Sequence, residues 1–271
     1  MSRHSLTDRE WNTIRNFLPA ERPCRQGRRW CPHRQIISGI LWILATGAAW
    51  RDVPEEFGNW ATVYGRFRRW KNEGLWDRIH NRLLSRFDHL GRIDRSLWCV
   101  DGSVVRAHRV AAGALLRSGG CELQALGRSR GGFSTKIHIV ADANGTLLSV
   151  TATPGQSGEA PEFHHVMQGV TVCSDFRSRR PRAVAGDKGY SSQAIRDWLN
   201  QRSIKAVIPK RSNERRRGRF AAQLYRRRNI VERTIGHLKE FRRIATRFDK
   251  CPSSYIAFIK IAATRILLKS I

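Results

Sequence analysis

Leu97-Trp98-Cys99-Val100-Asp101 decides how this chain is read. An apolar run of strand length that stops at an acid reads as a buried strand. It separates a first third with only helical periodicity from a remainder in which strands and helices alternate. Upstream, Thr7-x-x-Glu10 is a capping box with Leu6 placed as its staple, and Trp11, Ile14 and Leu18 follow at helical spacing until Pro19. Pro32 opens a helix over 33–46, which Gly47 stops. Two more helices are predicted over 60–72 and 75–90. Downstream, strands over 133–141 and 146–153 flank the turn Asp142-Ala143-Asn144-Gly145, a hairpin signal. A helix over 159–167, a strand over 182–185 ending in Gly186-Asp187, a helix over 191–201 and a short strand over 205–209 come next. From 221 the chain is helical, with a break at Cys251-Pro252. This order predicts an α/β protein of the α+β type with a mixed sheet covered by helices. The predicted division is 1–92, all helical, and 93–271, built on the sheet.

Composition bounds the class of partner. Fifty Lys and Arg against 22 Asp and Glu leave a net charge of +28 over 271 residues. Such an excess calls for a polyanion, nucleic acid first and an anionic membrane surface as the weaker alternative. The helices over 33–46 and 60–72 form a helix-turn-helix candidate whose second member presents Arg66, Arg68 and Arg69 to a groove. Basic loops over 21–29, 113–132 and 209–219 add further contacts for phosphates. No membrane is implied: the most apolar run, 36–50, is too short to span one and holds Ser38, Gly39 and Gly47, and the N-terminus has no apolar leader. Six scattered cysteines with no C-x2-C pair argue for reduced thiols and against a zinc site or disulfide framework.

Three carboxylates stand out. Asp101 opens Asp-Gly-Ser-Val-Val-Arg-Ala-His, Asp187 lies in Gly-Asp-Lys-Gly-Tyr, and Glu232 belongs to Tyr225-x2-Arg228-x3-Glu232-x6-Lys239. On a helix the four named residues of that last stretch fall within about 60° of arc. One face then carries a phenol, a guanidinium, a carboxylate and an ammonium. Phosphodiester cleavage needs an activated nucleophile and a stabilised leaving oxygen, and two divalent ions held by hard oxygen ligands supply both. Asp101, Asp187 and Glu232 are the catalytic and metal-ligand candidates, for two Mg²⁺ with Mn²⁺ as substitute. Lys188, Arg228 and Lys239 are placed to position phosphates. Gly102 and Gly189 allow close backbone approach. His108, His138, Tyr190 and Tyr225 read as packing residues.

With these motifs on the page the chain resembles the DDE transposases of bacterial insertion sequences, in the group related to insertion sequence five. The resemblance runs through Asp101-Gly-Ser with Arg106-Ala-His108, the 127–138 stretch containing Lys136, Pro154-Gly-Gln156, Gly186–Tyr190 and the Tyr225–Lys239 motif. It also takes in Leu6-Thr7-Asp8 and the 47–54 stretch near the N-terminus. It implies an RNase H-like catalytic domain preceded by an all-helical DNA-binding region. It also implies recognition of terminal inverted repeats, nicking by water, and attack of the freed 3′-hydroxyl on target DNA. Lys136 joins the DNA-contact candidates on the same ground. At least two copies would act in one complex, in the bacterial cytoplasm at the nucleoid. An RNase H-like nuclease, or a non-catalytic DNA-binding regulator descended from a transposase, shares parts of this pattern. The intact acids speak against the regulator.

Overall fold

The computed structural model describes residues 5–21, 31–112, 124–129, 131–172, 180–212, 214 and 220–270. The basic loops expected over 21–29, 113–132 and 209–219 lie largely outside that set. Among the described residues before Trp98, regular structure is confined to helices and 3-10 turns. They are α1 (Asp8–Ile14), α2 (His33–Thr46), α3 (Trp60–Asn72) and α4 (Leu75–His89). The capping box forms: Glu10 N donates to Thr7 Oγ1 at 3.2 Å, and Thr7 N donates to Glu10 Oε2 at 2.7 Å. Gly47 ends α2 in the left-handed region at φ 69°, a conformation with little cost only for glycine.

Among the described residues the sheet has seven strands. β1 (Trp98–Ala107) pairs antiparallel with β3 (Gly132–Asp142), which pairs antiparallel with β4 (Leu147–Pro154) and, at its start, with β2 (Gly127–Ser129). On the other edge of β1 lie β5 (Ala183–Ala185) and then β6 (Lys205–Val207), both parallel. β7 (Thr246–Arg247) joins that same edge beside Arg106 and Ala107. The β3–β4 turn is the predicted one, with Gly145 N donating to Asp142 O at 3.0 Å and the Asp142 carboxylate accepting from Asn144 N and Thr146 N. Helices α5 (Phe163–Gln168), α6 (Gln193–Gln201), α7 (Ala222–Arg226), α8 (Asn229–Lys239), α9 (Arg242–Ala245) and α10 (Pro252–Lys269) complete the chain.

Two expectations change. The strand containing Asp101 does not stop at the acid: its ladder to β3 continues to Arg106, so Asp101 sits within a strand rather than at its end. The late helix is broken as well, because α7 ends at Arg226 and α8 begins at Asn229, leaving Tyr225 and Glu232 on different helices. Tyr225 O still accepts from Arg228 N at 2.9 Å, so a single turn links the two.

One hydrophobic core runs through the molecule, from Leu6 and Ile36 through Val100 and Ile139 to Phe258 and Leu268. The last helix, α10, carries much of it. It packs on α3 and α4 as well as on β4, and the Phe258 ring stacks on Phe67 of α3 at 4.7 Å. Lys260 pairs with Asp77 and Arg265 with Glu10. The early helices are therefore closed by residues more than 180 positions away, as the Lys260–Asp77 separation of 183 shows.

Candidate active site

Each of the three acids comes from a different element. Asp101 is on β1. Asp187 follows β5 and caps the 3-10 turn Lys188–Tyr190, its Oδ1 accepting from Gly189 N at 2.7 Å. Glu232 lies in the first turn of α8, where the helix dipole favours a carboxylate. β5 pairs with β1 at Trp98 and Cys99, so the chain leaving β5 passes the flank of Asp101. Lys239 fastens α8 to β1, its Nζ donating to Ser103 Oγ at 2.8 Å and Val104 O at 3.3 Å. Burial does most to push the Asp101 carboxyl upward, and the Asp187 and Glu232 charges push it the same way.

Arg228 sits among them. Its Nη1 is 3.3 Å from Asp101 Oδ1, and its Nη2 donates to Glu232 Oε1. The Asp101 side chain is only 14% exposed, and burial raises its carboxyl above the ordinary aspartate range despite the opposing Arg228 charge. Burial would lower the Arg228 pKa, but Asp101 and Glu232 outweigh it and hold the guanidinium charged. Among the described residues no three His, Cys, Asp or Glu side chains converge on a common point as they stand. Asp101 and Glu232 are instead paired with Arg228, a cation seated between them, and Asp187 caps its own turn. Hard oxygen donors gathered around a bound positive charge suit a Mg²⁺-class ion.

A fourth carboxylate, missed in the sequence, belongs to the same place. Glu159 lies between β4 and α5. Burial raises its carboxyl, Asp187 raises it further, and Lys136 opposes both with Nζ 3.5 Å from Oε1. In the sequence Glu159 carries no motif and reads only as a helix start, so no local signal marks it. Beneath the cluster Tyr190 is fully buried, and its hydroxyl has no hydrogen-bond partner.

The predicted DNA-contacting cations divide. Arg68, Arg69 and Lys188 are exposed. Arg66 is not: it is 7% exposed, its Nη1 lies 2.7 Å from His33 Nδ1, and its guanidinium packs 5.5 Å from the Trp70 ring. That overturns its place on the outer face of α3. Lys136, Arg228 and Lys239 are held by Glu159, by the acids and by β1 respectively. His138 is buried with Nε2 2.8 Å from Thr153 Oγ1, and burial lowers it to about 4, so it is neutral and structural. His108 packs 5.4 Å from Phe248. Cys99, a free thiol inside β1, is pushed up to about 12 by burial and is inert.

The chain is similar in sequence to known proteins. Residues 92–267 match the family model described as a transposase DDE domain, and residues 6–80 the one described as a putative transposase of the IS4/5 family. The chain is 38% identical over 121 residues to an uncharacterized 16.2 kDa protein of insertion element IS402 from Burkholderia cepacia, covering 43% of this chain and 81% of that one. It is 34% identical over 135 residues to a putative transposase for IS402 from the same organism, covering 49% and 62%. A putative transposase for IS6501 from Brucella ovis is 28% identical over 139 residues, covering 51% and 100%. Among solved structures, the Mos1 mariner paired end complex with Mn aligns at a TM-score of 0.32 and 10% identity, over 97% of this chain and 86% of that one.

Proposed function

The chain belongs to the DDE transposases of insertion sequences, and from that premise we propose that Asp101, Asp187 and Glu232 are its catalytic carboxylates and the ligands of two divalent ions, Mg²⁺ or Mn²⁺. The observation that carries this reading is that Asp101 of β1 and Glu232 of α8 share one cation, Arg228, while Asp187 at the β5 exit acts electrostatically on Asp101. When bound, the ions supply Lewis acidity to the scissile phosphate and its attacking and leaving oxygens. The chain itself does the positioning. β1 and the Gly186–Tyr190 turn hold two acids at a fixed spacing, and Lys239 keeps α8 and its acid against β1. Once released from Asp101 and Glu232, Arg228 is free to turn to a phosphate. Among the described residues, the strand order β4-β3-β1-β5-β6, with three antiparallel strands followed by two parallel ones, supports an RNase H-like catalytic part over 93–271.

The substrate is double-stranded DNA: the terminal inverted repeats of the element and then a target duplex joined by the freed 3′-hydroxyl. The helices of 1–92 form the DNA-binding region, with Arg68 and Arg69 on the outer face of α3. Two or more copies act together, since two ends must be joined. No described helix is long and apolar enough to cross a membrane, and the site of action is the bacterial nucleoid.

The test compares wild type with Asp187→Ala on labelled DNA carrying the element end, in millimolar Mg²⁺. Wild type nicks at the end. The variant binds the same DNA and leaves it intact, with cleavage down by at least about three orders of magnitude, as expected when a group acting only in the transition state is removed. Equal cleavage by both proteins removes Asp187 from the site. Binding without cleavage by wild type, with both ends supplied, points instead to a DNA-binding regulator.

A further inference from the structure

We propose that the exposed face of α8 centred on Gly236 is where the DNA backbone lies as it enters the site, and that residue 236 is a glycine so that it can lie there. This rests on the DNA-cleaving reading above and assigns a residue and a helix face which that reading does not name.

The glycine is the anomaly. Apart from proline, glycine is the poorest residue for a helix interior, because it has the most backbone freedom to lose. Among the described residues three glycines lie inside α-helices: Gly39 in α2, Gly65 in α3 and Gly236 in α8. Gly39 has its reason within the chain, since a Cβ there would stand 3.0 Å from Phe57 Cβ and 3.2 Å from Val63 Cγ1. Gly236 has no such reason. A Cβ there would meet nothing within 4 Å among the described residues, and its φ is not in the left-handed region. The fold would accept alanine at 236 and gain by it. Glycine is also what lets a ligand come close to a backbone, and that use fits an open helix face. Gly65 is the other open glycine, and it lies on α3, the helix that carries Arg68 and Arg69.

Position selects DNA as the occupant. At about 100° per residue, Asn229, Arg233, Gly236 and Glu240 fall within about 60° of arc on α8, with Glu232 at one border and His237 at the other. All six are exposed. The Glu232 side chain is 53% exposed and stands one helical turn before Gly236, so the face is continuous with the catalytic carboxylate. Arg233 puts a guanidinium on this face. The acid Glu240 is engaged with His237, whose Nδ1 lies 3.2 Å from its Oε1. A phosphate backbone running along α8 over Gly236 therefore reaches Arg233 and then Glu232. A second copy of the chain is the competing occupant, but its own net charge of +28 opposes docking here.

The experiment compares full-length wild type with Gly236→Ala, Gly236→Leu and Arg233→Gln. Thermal melts without DNA come first. Alanine is the better helix former and has open space, so Gly236→Ala should melt about 1–4 °C above wild type. Binding is then read by fluorescence anisotropy on a labelled duplex carrying the element end, in EDTA, and nicking in millimolar Mg²⁺ at saturating protein. Gly236→Leu should weaken binding about tenfold. Its nicking of bound DNA should fall about a hundredfold, as expected when the scissile strand is held off its position. Gly236→Ala should show smaller losses in both. Arg233→Gln should lower the slope of log K against log salt by about 1. Binding and nicking by Gly236→Leu equal to wild type overturn the proposal, as does an unchanged slope in Arg233→Gln. A melt of Gly236→Ala well below wild type gives the glycine a structural reason and overturns it too. So does sedimentation in which wild type self-associates without DNA and Gly236→Leu breaks that association while binding DNA normally, which assigns the face to a second copy. If wild type binds the duplex without nicking it, the catalytic reading fails, and the anisotropy and salt slopes still decide whether DNA lies on α8.

Discussion

Asp101 is held in the folded chain with its carboxyl raised by burial more than Arg228 lowers it. The fold therefore favours its protonated form. The resulting stability is fully present below the ordinary carboxylate range, near 3.9, and is lost as pH rises through the higher folded value. At neutral pH and without metal, ionised Asp101 is a local cost. Asp101→Asn should melt at an equal or higher temperature than wild type at pH 8 in EDTA, with the difference vanishing as pH falls toward 3.5. Calorimetry at stepped pH checks both the sign and the window, and a wild-type advantage at pH 8 would contradict the burial argument. Legibility also differs residue by residue. Asp101, Asp187 and Glu232 stand out in the sequence because each interrupts an apolar or ordered pattern. Arg66 was readable too, since it lies three residues after Val63 and four before Trp70, on the face that α3 buries. Its charge masked its position. Glu159 had no such cue, because only the folded sheet brings it beside Gly102 and Gly189.

Among the elements, those with local chemistry were legible: the Thr7–Glu10 cap, the Gly47 stop and the Asp142–Gly145 turn all form as their residues dictate. The rest depended on distant partners. β1 continues past Asp101 because β3 pairs with it, and β7 exists because β1 offers an open edge at Arg106. No window of neighbouring residues contains that information. Arg247 of β7 shows how such joints are secured. It is fully buried, and its guanidinium donates to the carbonyls of Gln124, Ala125, Asp249 and Lys250 and to Thr135 Oγ1, at 2.6–3.0 Å. Arg247→Met would leave several buried acceptors unpaired, at roughly 1–3 kcal/mol each. Urea unfolding should show a loss above about 3 kcal/mol. A loss under 1 kcal/mol would mean that water or a rearranged strand replaces those bonds.

At the scale of the whole molecule, charge and core make separate demands. A chain with net charge +28 should bind DNA with a steep salt dependence. If its cations meet about 6–10 phosphates, affinity falls roughly 10³–10⁵-fold between 50 and 200 mM salt. A flat plot of log K against log salt would show that the excess charge serves something other than DNA. The core makes the opposite kind of prediction. Tyr255, Phe258, Ile259, Ile261, Leu267 and Leu268 of α10 are buried. At about 1.5–3 kcal/mol each their burial rivals the 5–15 kcal/mol net stability of a typical domain. A fragment spanning 1–92, which lacks α10, should therefore show no cooperative thermal transition. Adding residues 252–269 in trans should restore one, and a cooperative melt of the fragment alone would show that the early helices are self-sufficient.

That closing helix also fixes the order of events during synthesis. A ribosome delivers α1–α4 well before α10, which begins at Pro252, 163 positions after α4 ends at His89. The nascent early helices have to wait, half-covered, through the translation of the entire sheet. A message cut short before Pro252 is then expected to leave the early helices without the partner that closes them.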